Sequence, residues 1–257
     1  MSTTRMPVLF VGHGSPMNAI EDNQFSQGWK EISKNIPRPD AIVCVSAHWE
    51  SVGSQVTAME KPRTIHDFGG FPRPLYEMLY PAPGSPTLAQ HIIEIIQNTA
   101  VQPDLKWGLD HGTWSVLCHM FPEADVPVVQ LSIDRSKDST LNYELGRQLK
   151  ALRDEKVLIV GSGNIVHNLG MIAWGGQPFD WALDFDQRVK QWILDGDHDA
   201  IVHFEKQGRA AAFAVNSSEH YLPLLYVLGA SESGESVKFY NEEVWAGSIS
   251  MRCVQVG

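Results

Sequence analysis

Short, almost continuously hydrophobic runs alternate with amphipathic stretches along most of the chain. Runs such as AIVCVSA and VLIVGSG suit strands that are buried on both faces, as in a parallel sheet. The pattern predicts strands at residues 8–12, 41–47, 55–59, 126–133, 157–161 and 248–254. Because helical spacing takes over between these strands, the pattern favours a fold built from strand–helix–strand units.

Apolar side chains that recur every three or four residues predict the helices between the strands. A Ser85–Pro86 pair suits a helix start and precedes the first of three apolar stripes. The stripes are Leu88, Ile92, Ile95 and Ile96; Leu141, Leu145, Leu149 and Leu152; and Trp181, Phe185, Val189 and Trp192. Residues 221–228 are apolar all round and predict a buried helix. We therefore expect a single α/β domain over residues 1–257, with a mostly parallel central sheet and helices on both faces.

Residues 61–83 fit neither pattern, because they are too rich in proline and glycine for regular structure. The segment nevertheless contains three large aromatic side chains, Phe68, Phe71 and Tyr76. Long ordered loops of this kind are often lids or binding walls. An ordinary surface loop is the alternative interpretation.

Charge and hydropathy exclude several classes of function. The chain has 30 acidic and 20 basic residues, a formal net charge of −10, and no basic run. Nucleic acid and anionic membrane surfaces are therefore not expected partners, since both require a basic footprint. No apolar run approaches the ~18 residues of a membrane span, and the N-terminus does not resemble a signal peptide. We expect a cytoplasmic protein.

The ten histidines are the unusual feature of the composition. His13 and His48 each end a predicted strand, and His167 lies a few residues past a third. Because ligands of open α/β sheets bind at the carboxyl ends of the strands, we expect an active site at that C-terminal edge, with these imidazoles side by side. Imidazole is a ligand of zinc, copper, iron and nickel. The pattern therefore predicts a metal site, although a single histidine at a strand end is more often a structural polar residue.

Two further histidines open predicted helices. His220 precedes the apolar helix, and His111 follows a loop in the motif DHGTW. Other catalytic motifs are incomplete: GSGNIV lacks the third glycine of a dinucleotide-binding fingerprint, which disfavours an NAD-dependent enzyme. GHGSP is only loosely similar to the serine hydrolase motif GxSxG.

Six segments resemble the class III extradiol ring-cleavage dioxygenases of the LigB type. They are GHGSPMN, SAHWE, IHDFGGFPRPLYEMLYPAPGSP, GLDHGTW, GSGNIVHNL and EHYLPLLYVLGA. Within that family they are most similar to the bacterial branch of 4,5-DOPA extradiol dioxygenases, over nearly the whole chain. The resemblance implies a non-haem metal enzyme that opens catechols such as L-DOPA with O2.

The same resemblance assigns roles to five histidines. It implies that His13, His48 and His220 bind one divalent metal ion. It implies that His167 is either an acid/base group or a fourth metal ligand, and that His111 is a catalytic residue beside the substrate. A histidine near its ordinary pKa of ~6.5 can take a catechol proton and return it, and His167 is the first candidate for that role.

The implied ligand set differs from the 2-His-1-carboxylate triad of most extradiol enzymes, since the third position is His220 with Glu219 beside it. A nitrogen-rich site holds Zn2+ more tightly than Fe2+. We therefore expect Fe2+ to support dioxygenase activity and Zn2+ to be present in a purified sample. The alternatives are a zinc-dependent hydrolase on the same histidines and a non-catalytic binding protein of the same fold. The oligomeric state stays open.

Aromatic side chains near the motifs are expected to surround the catechol ring. The candidates are Trp49, Phe68, Phe71, Trp114 and Tyr221. Arg63 and Arg73 are candidates for pairing with a carboxylate on the substrate, although each is more easily understood as a surface charge.

Overall fold

Ten strands lie within residues 5–257, the part of the chain that the computed structural model describes. In chain order they are β1 (Val8–Gly12), β2 (Ala41–Ser51), β3 (Ser54–Thr57), β4 (Val101–Asp104), β5 (Val128–Asp134), β6 (Val157–Gly163), β7 (Val237–Tyr240), β8 (Val244–Trp245), β9 (Ile249–Ser250) and β10 (Cys253–Val256).

The α-helices of the described chain connect these strands. In chain order they are α1 (Gln24–Lys34), α2 (Arg73–Tyr76), α3 (Pro86–Ile95), α4 (His111–Met120), α5 (Ser139–Leu149), α6 (Asp180–Asp195), α7 (His198–Val202), α8 (Arg209–Ala214) and α9 (Leu222–Ala230). Over residues 5–257, no helix combines the length and the apolar character needed to cross a membrane.

Eight of the strands form one sheet in the order β4-β3-β5-β2-β6-β1-β10-β7 across the described chain. The central strands β5, β2, β6 and β1 are parallel to one another, whereas β10 and β7 join β1 in antiparallel pairs. This is the single α/β domain with a mostly parallel sheet that the hydrophobic pattern predicts. The parallel core brings the carboxyl ends of four strands to one edge, where the predicted site residues lie.

Helices cover both faces of the sheet. Successive side chains of a strand point to opposite faces, so a continuous apolar strand needs a covering layer on each face. On β1, Val8 and Phe10 belong to the core that α5 and α9 cover, and Leu9 and Val11 belong to the core that α1 and α4 cover. The helix α9 is buried along its whole length. A strand buried on both sides carries apolar residues at every position, which explains the continuous runs in the sequence.

Several strand boundaries differ from the prediction. The strand β2 continues to Ser51, so His48 lies within it rather than after its end, and the pairing of β2 with β5 shifts register between Val45 and Glu50. Residues 248–254 are not one strand: β9 pairs with β8 in a separate two-stranded sheet, and only β10 joins the main sheet. The pattern also missed β4 and β7, which are partly exposed edge strands. The strand β4 also contains a proline, Pro103, which is typical of edge strands.

Arg153 connects the chain just before β1 to the end of α9 and to the segment that follows α9. Its side chain is buried and donates hydrogen bonds to the carbonyl oxygens of Met6 (2.7 Å) and Ala230 (2.9 Å) and to the carboxylate of Glu235. Burial alone would raise the pKa of Glu235, but the hydrogen bond from Arg153 and the nearby positive charges hold it below its ordinary value.

Replacing Glu235 by glutamine is expected to lower the free energy of unfolding by about 3 kcal/mol at pH 7, because it leaves the buried Arg153 charge uncompensated. A carboxyl whose pKa is lowered by folding stabilises the protein above its unfolded pKa and loses that contribution as the pH falls through the folded value. The difference between the two proteins should therefore shrink below about pH 4.5. Urea titrations at pH 7 and pH 4 measure this, with Glu123→Gln, an exposed carboxylate, as the control. An equal difference at both pH values would contradict the prediction.

Candidate metal centre

Five histidines line a cavity of about 300 Å3 at the carboxyl edge of the central strands. They are His13, His48, His111, His167 and His220, all of the site histidines that the sequence singled out. His13 directly follows β1, His48 lies in the last part of β2, and His167 follows β6. The ends of β1 and β6 and the last part of β2 therefore bring three of these side chains together, although they span 154 positions of sequence.

His220 reaches the site because two backbone segments approach closely. The N–H of Asn164, directly after β6, donates to the carbonyl oxygen of His220 at 2.8 Å. A Cβ atom on Gly163 would lie 2.1 Å from that oxygen, so a glycine is required there. The glycine-rich end of β6 thus serves a close backbone approach, not a bound dinucleotide phosphate.

His111 opens α4 and is placed by the residue before it. Asp110 is fully buried, and its carboxylate accepts hydrogen bonds from the backbone N–H of Thr113 (3.1 Å), from Ser46 Oγ (2.7 Å) and from Gln130 Nε2 (2.7 Å). The first of these caps the helix, and the other two fix its start to β2 and β5.

Three of the imidazoles converge as metal ligands do. The candidate ligand nitrogens of His13, His48 and His220 all lie within 4.8 Å of one another, and the Nε2 atoms of His13 and His48 are 3.1 Å apart. Two nitrogens bound to one tetrahedral metal at 2.0–2.1 Å lie roughly 3.3 Å apart. The spacing in the structure therefore fits a single shared ion.

Hydrogen bonds fix the tautomer of His13. The hydroxyl of Ser162 donates its only proton to the carbonyl oxygen of Gly112 at 2.5 Å. It must then accept from Nδ1–H of His13, which lies 3.0 Å away. The Nε2 atom of His13 is left with its lone pair directed at the other imidazoles, as a metal ligand requires.

Two carboxylates hold the other rings. Glu219 Oε1 accepts from His220 Nδ1 at 2.9 Å. Asp67 accepts from the backbone N–H of His111 (2.8 Å) and from His111 Nδ1 (3.0 Å), and its Oδ2 lies 3.5 Å from His48 Nδ1. Carboxylates on the outer nitrogen of an imidazole orient the ring and increase the basicity of the inner nitrogen.

All three converging histidines are neutral at pH 7. Burial lowers the pKa of His13 and of His220 well below the ordinary value, and neighbouring histidines lower it further. Burial and the adjacent His111 lower the pKa of His48 to about 3. A neutral imidazole can offer the lone pair of a ring nitrogen to a cation. The donor set therefore fits a divalent transition metal such as zinc or iron.

His167 differs from these three in its surroundings. Its ring stacks on that of His220, with centroids 3.4 Å apart and planes 8° apart. The possible ligand atoms of His167, Glu219 and His220 lie within 4.8 Å of one another. Those of His13, His48 and His220 form a second group of the same kind, which does not include His167. Burial lowers the pKa of His167 to about 4, below the ordinary value assumed from sequence. The ring is therefore a neutral base at pH 7.

The walls of the cavity differ from the aromatic set expected from sequence. Of the expected residues, Phe71 alone lines the cavity within the described chain. Trp49 instead stacks on Trp107, with ring centroids 5.5 Å apart, and Trp114 and Tyr221 are buried in the core. The apolar residues that the prediction missed are Leu169, Ile172, Trp174, Trp245 and Ile249. They come from segments whose pattern gives no sign that they meet at the site.

The segment at residues 61–83 is fixed against the site. Trp114 Nε1 donates to the carbonyl oxygen of Ile65 at 2.8 Å, and Phe68 packs edge-on against His111 with centroids 5.5 Å apart. Phe71 contributes to the cavity and Asp67 holds two histidines. Through Phe71 the segment forms part of the cavity wall, and its role in binding, as a lid or a binding wall, stays a prediction. The role of Asp67 was missed, because no local motif connects it to residues 19 and 44 positions away.

Replacing Asp67 by asparagine is expected to weaken divalent metal binding by about 10–100-fold, the usual cost of losing a group that orients a ligand. The amide is uncharged, so it no longer increases the basicity of His48. Competition of the protein with a chromophoric chelator measures the affinity, and Asp40→Asn, an exposed carboxylate, is the control. An unchanged affinity would show that Asp67 does not support the ligands.

Comparisons with known proteins agree with this geometry. Residues 6–250 match the family described as the catalytic LigB subunit of aromatic ring-opening dioxygenase. The chain is 50% identical over 264 residues to a 4,5-DOPA dioxygenase extradiol of Escherichia coli K12, covering 100% of this chain and 97% of that protein. It is 37% identical over 251 residues to a protein of the same name from Beta vulgaris, covering 94% and 92%. A crystal structure of an uncharacterized protein from Escherichia coli K12 is similar with a TM-score of 0.86 and 44% identity, covering 98% of this chain and 100% of that one.

Proposed function

The chain belongs to the LigB family of aromatic ring-opening dioxygenases, and from that premise we propose that it opens the ring of catechols such as L-DOPA by extradiol 4,5-cleavage with O2. The observation that carries the proposal is the convergence of three neutral imidazoles beside a cavity of about 300 Å3. A cavity at the lower end of the usual range for small-molecule sites suits a single aromatic ring. Enzymes of this family are metal-dependent.

The three converging imidazoles are the proposed ligands of one divalent ion. His13, His48 and His220 would hold it through ring nitrogens. Hydrogen bonds with Ser162 and Glu219 fix the tautomers of His13 and His220. The carboxylate of Asp67 lies 3.5 Å from His48 Nδ1. When bound, Fe2+ supplies Lewis acidity and redox chemistry toward O2. Zn2+ has no redox chemistry but is bound more tightly by nitrogen ligands, so we expect it in a purified sample. The carboxylate of Glu219 accepts a hydrogen bond from His220 Nδ1, and we assign it to orienting that ring instead of binding the ion.

The protein's own groups bind and deprotonate the catechol. The apolar walls hold the ring and exclude water, which strengthens every polar interaction inside the cavity. His167, neutral and in the cavity lining, accepts a hydroxyl proton of the catechol at its ring nitrogen and returns it later in the reaction. His111 donates Nδ1–H to Asp67, which leaves Nε2 as an acceptor for the substrate.

Oxygen uptake with L-DOPA under two metal loadings tests the proposal. The protein is stripped of metal, reloaded without oxygen with Fe2+ or Zn2+, and then given L-DOPA and O2. We expect O2 consumption and a yellow ring-opened product with Fe2+ and neither with Zn2+. Turnover that needs Zn2+ and no O2 would indicate a hydrolase instead. The absence of uptake with every catechol tried, despite verified iron loading, would favour a non-catalytic binding protein.

A further inference from the structure

The mouth of the cavity is built from exposed apolar side chains. Trp174 is 72% exposed and Leu169 is 61% exposed, and both line the cavity. Trp174 meets Trp245 edge to face, with ring centroids 5.3 Å apart and planes at 75°. Large apolar residues are rarely left exposed together without a function, and here they are continuous with the catechol site.

The charges around the histidines are carboxylates. Asp67 and Glu219 hydrogen-bond the imidazoles directly, and among residues 5–257 no lysine or arginine lines the cavity. The two arginines that the sequence offered as partners for a substrate carboxylate are engaged elsewhere: Arg63 donates to the carbonyl oxygen of Trp107, and the exposed Arg73 pairs with Glu77.

A bound metal ion does not reverse this balance. Its +2 charge belongs in the account of the site, and the two carboxylates beside its ligands offset it. An anionic substituent that extends from the ring toward the mouth would therefore meet apolar walls. No positively charged hydrogen-bond donor would pair with it there. Burying a carboxylate without such a partner is costly, whereas an ammonium group is attracted to the face of a tryptophan.

We propose that the aromatic mouth formed by Trp174 and Trp245 binds the ring substituent of the substrate. It selects catechols whose substituent has no net negative charge, whether apolar, cationic or zwitterionic as in L-DOPA, over catechols with an anionic substituent. This inference rests on the proposed function, because it takes the cavity as the catechol site. It adds a specificity that depends on residues at the mouth, away from the metal ligands.

Binding of a matched set of catechols to zinc-loaded protein tests the inference without turnover. The set is catechol, 4-ethylcatechol, dopamine and 3-(3,4-dihydroxyphenyl)propionate, which differ mainly in the charge of the substituent. Calorimetry without oxygen should give a Kd for the propionate at least about tenfold weaker than those of 4-ethylcatechol and dopamine, a difference that corresponds to about 1.4 kcal/mol. A propionate that binds as tightly as 4-ethylcatechol would overturn the proposal.

Trp174→Ala separates the mouth from the ring site. We expect its affinity for 4-ethylcatechol and for dopamine to fall about fivefold, and its affinity for unsubstituted catechol to fall by a smaller factor. Leu105→Ala is the matched control, because Leu105 is 70% exposed and does not line the cavity. Equal affinities of Trp174→Ala and the native protein for all four ligands would also overturn the proposal.

These outcomes are distinct from failure of the proposed reaction. Iron-loaded protein that consumes O2 with L-DOPA but shows no preference by charge contradicts the inference alone. Iron-loaded protein without O2 consumption, combined with the expected order of binding, contradicts the ring-opening reaction alone. Failure of all four catechols to bind would overturn both.

Discussion

Replacing His13 by alanine is expected to abolish O2 uptake with L-DOPA and to weaken metal binding by more than about 100-fold. Loss of a group that only orients a ligand already costs about 10–100-fold, and His13 is a proposed ligand. His13 is buried beside the other two proposed ligands, and its Nε2 atom lies 3.1 Å from Nε2 of His48. Two nitrogen ligands do not complete a site that three converging imidazoles form.

Metal content after dialysis and O2 electrode traces measure this effect. His48→Ala should behave in the same way, which guards against a folding defect particular to one variant. His203→Ala is the matched control, because this histidine is on the surface beside Asp199 and outside the cavity. A His13→Ala protein that retains one equivalent of tightly bound metal would remove His13 from the ligand set.

Replacing His167 by alanine is expected to retain the metal and to lower kcat by about 10²–10⁴-fold, the usual contribution of a positioned acid/base group. The three-histidine group forms without His167, which lies against the face of His220. Its loss therefore removes a proton acceptor from the cavity and leaves the converging nitrogens of His13, His48 and His220.

Metal content after dialysis and O2 uptake together decide between the two roles considered for His167, acid/base group and fourth ligand. Metal retained with turnover lost identifies the acid/base role. If metal and turnover are lost together, His167 is a fourth ligand. Added imidazole that restores part of the turnover of His167→Ala would support the acid/base role further, since a free base can replace a missing proton acceptor.

The fold could be predicted because its signals are local. Strands buried on both faces carry apolar residues at every position, so β1, β2 and β6 appear in the sequence as hydrophobic runs. The edge strands β4 and β7 give weaker signals, because half of their surface faces water. The break between β9 and β10 depends on the pairing of β9 with β8 in a separate sheet, which the hydrophobic pattern does not show.

The site could be predicted as far as its histidines are concerned. The carboxyl ends of parallel strands share one edge, so histidines placed at strand ends must meet there. That rule brought His13, His48 and His167 together, and the resemblance to a known family added His111 and His220. The rule gives the residue type and its neighbourhood, but it does not give the direction in which each ring nitrogen points.

The sequence by itself therefore determined the α/β fold, through its periodicity, and the five histidines, through the predicted strand ends and the family resemblance. Only the tertiary structure decided the partners that give those histidines their chemistry. Ser162 and Asp67 fix tautomers through contacts across 149 and 44 positions. Trp174 and Trp245 form the mouth from two separate segments. Such contacts depend on how distant segments pack, and packing leaves no periodic trace along the chain.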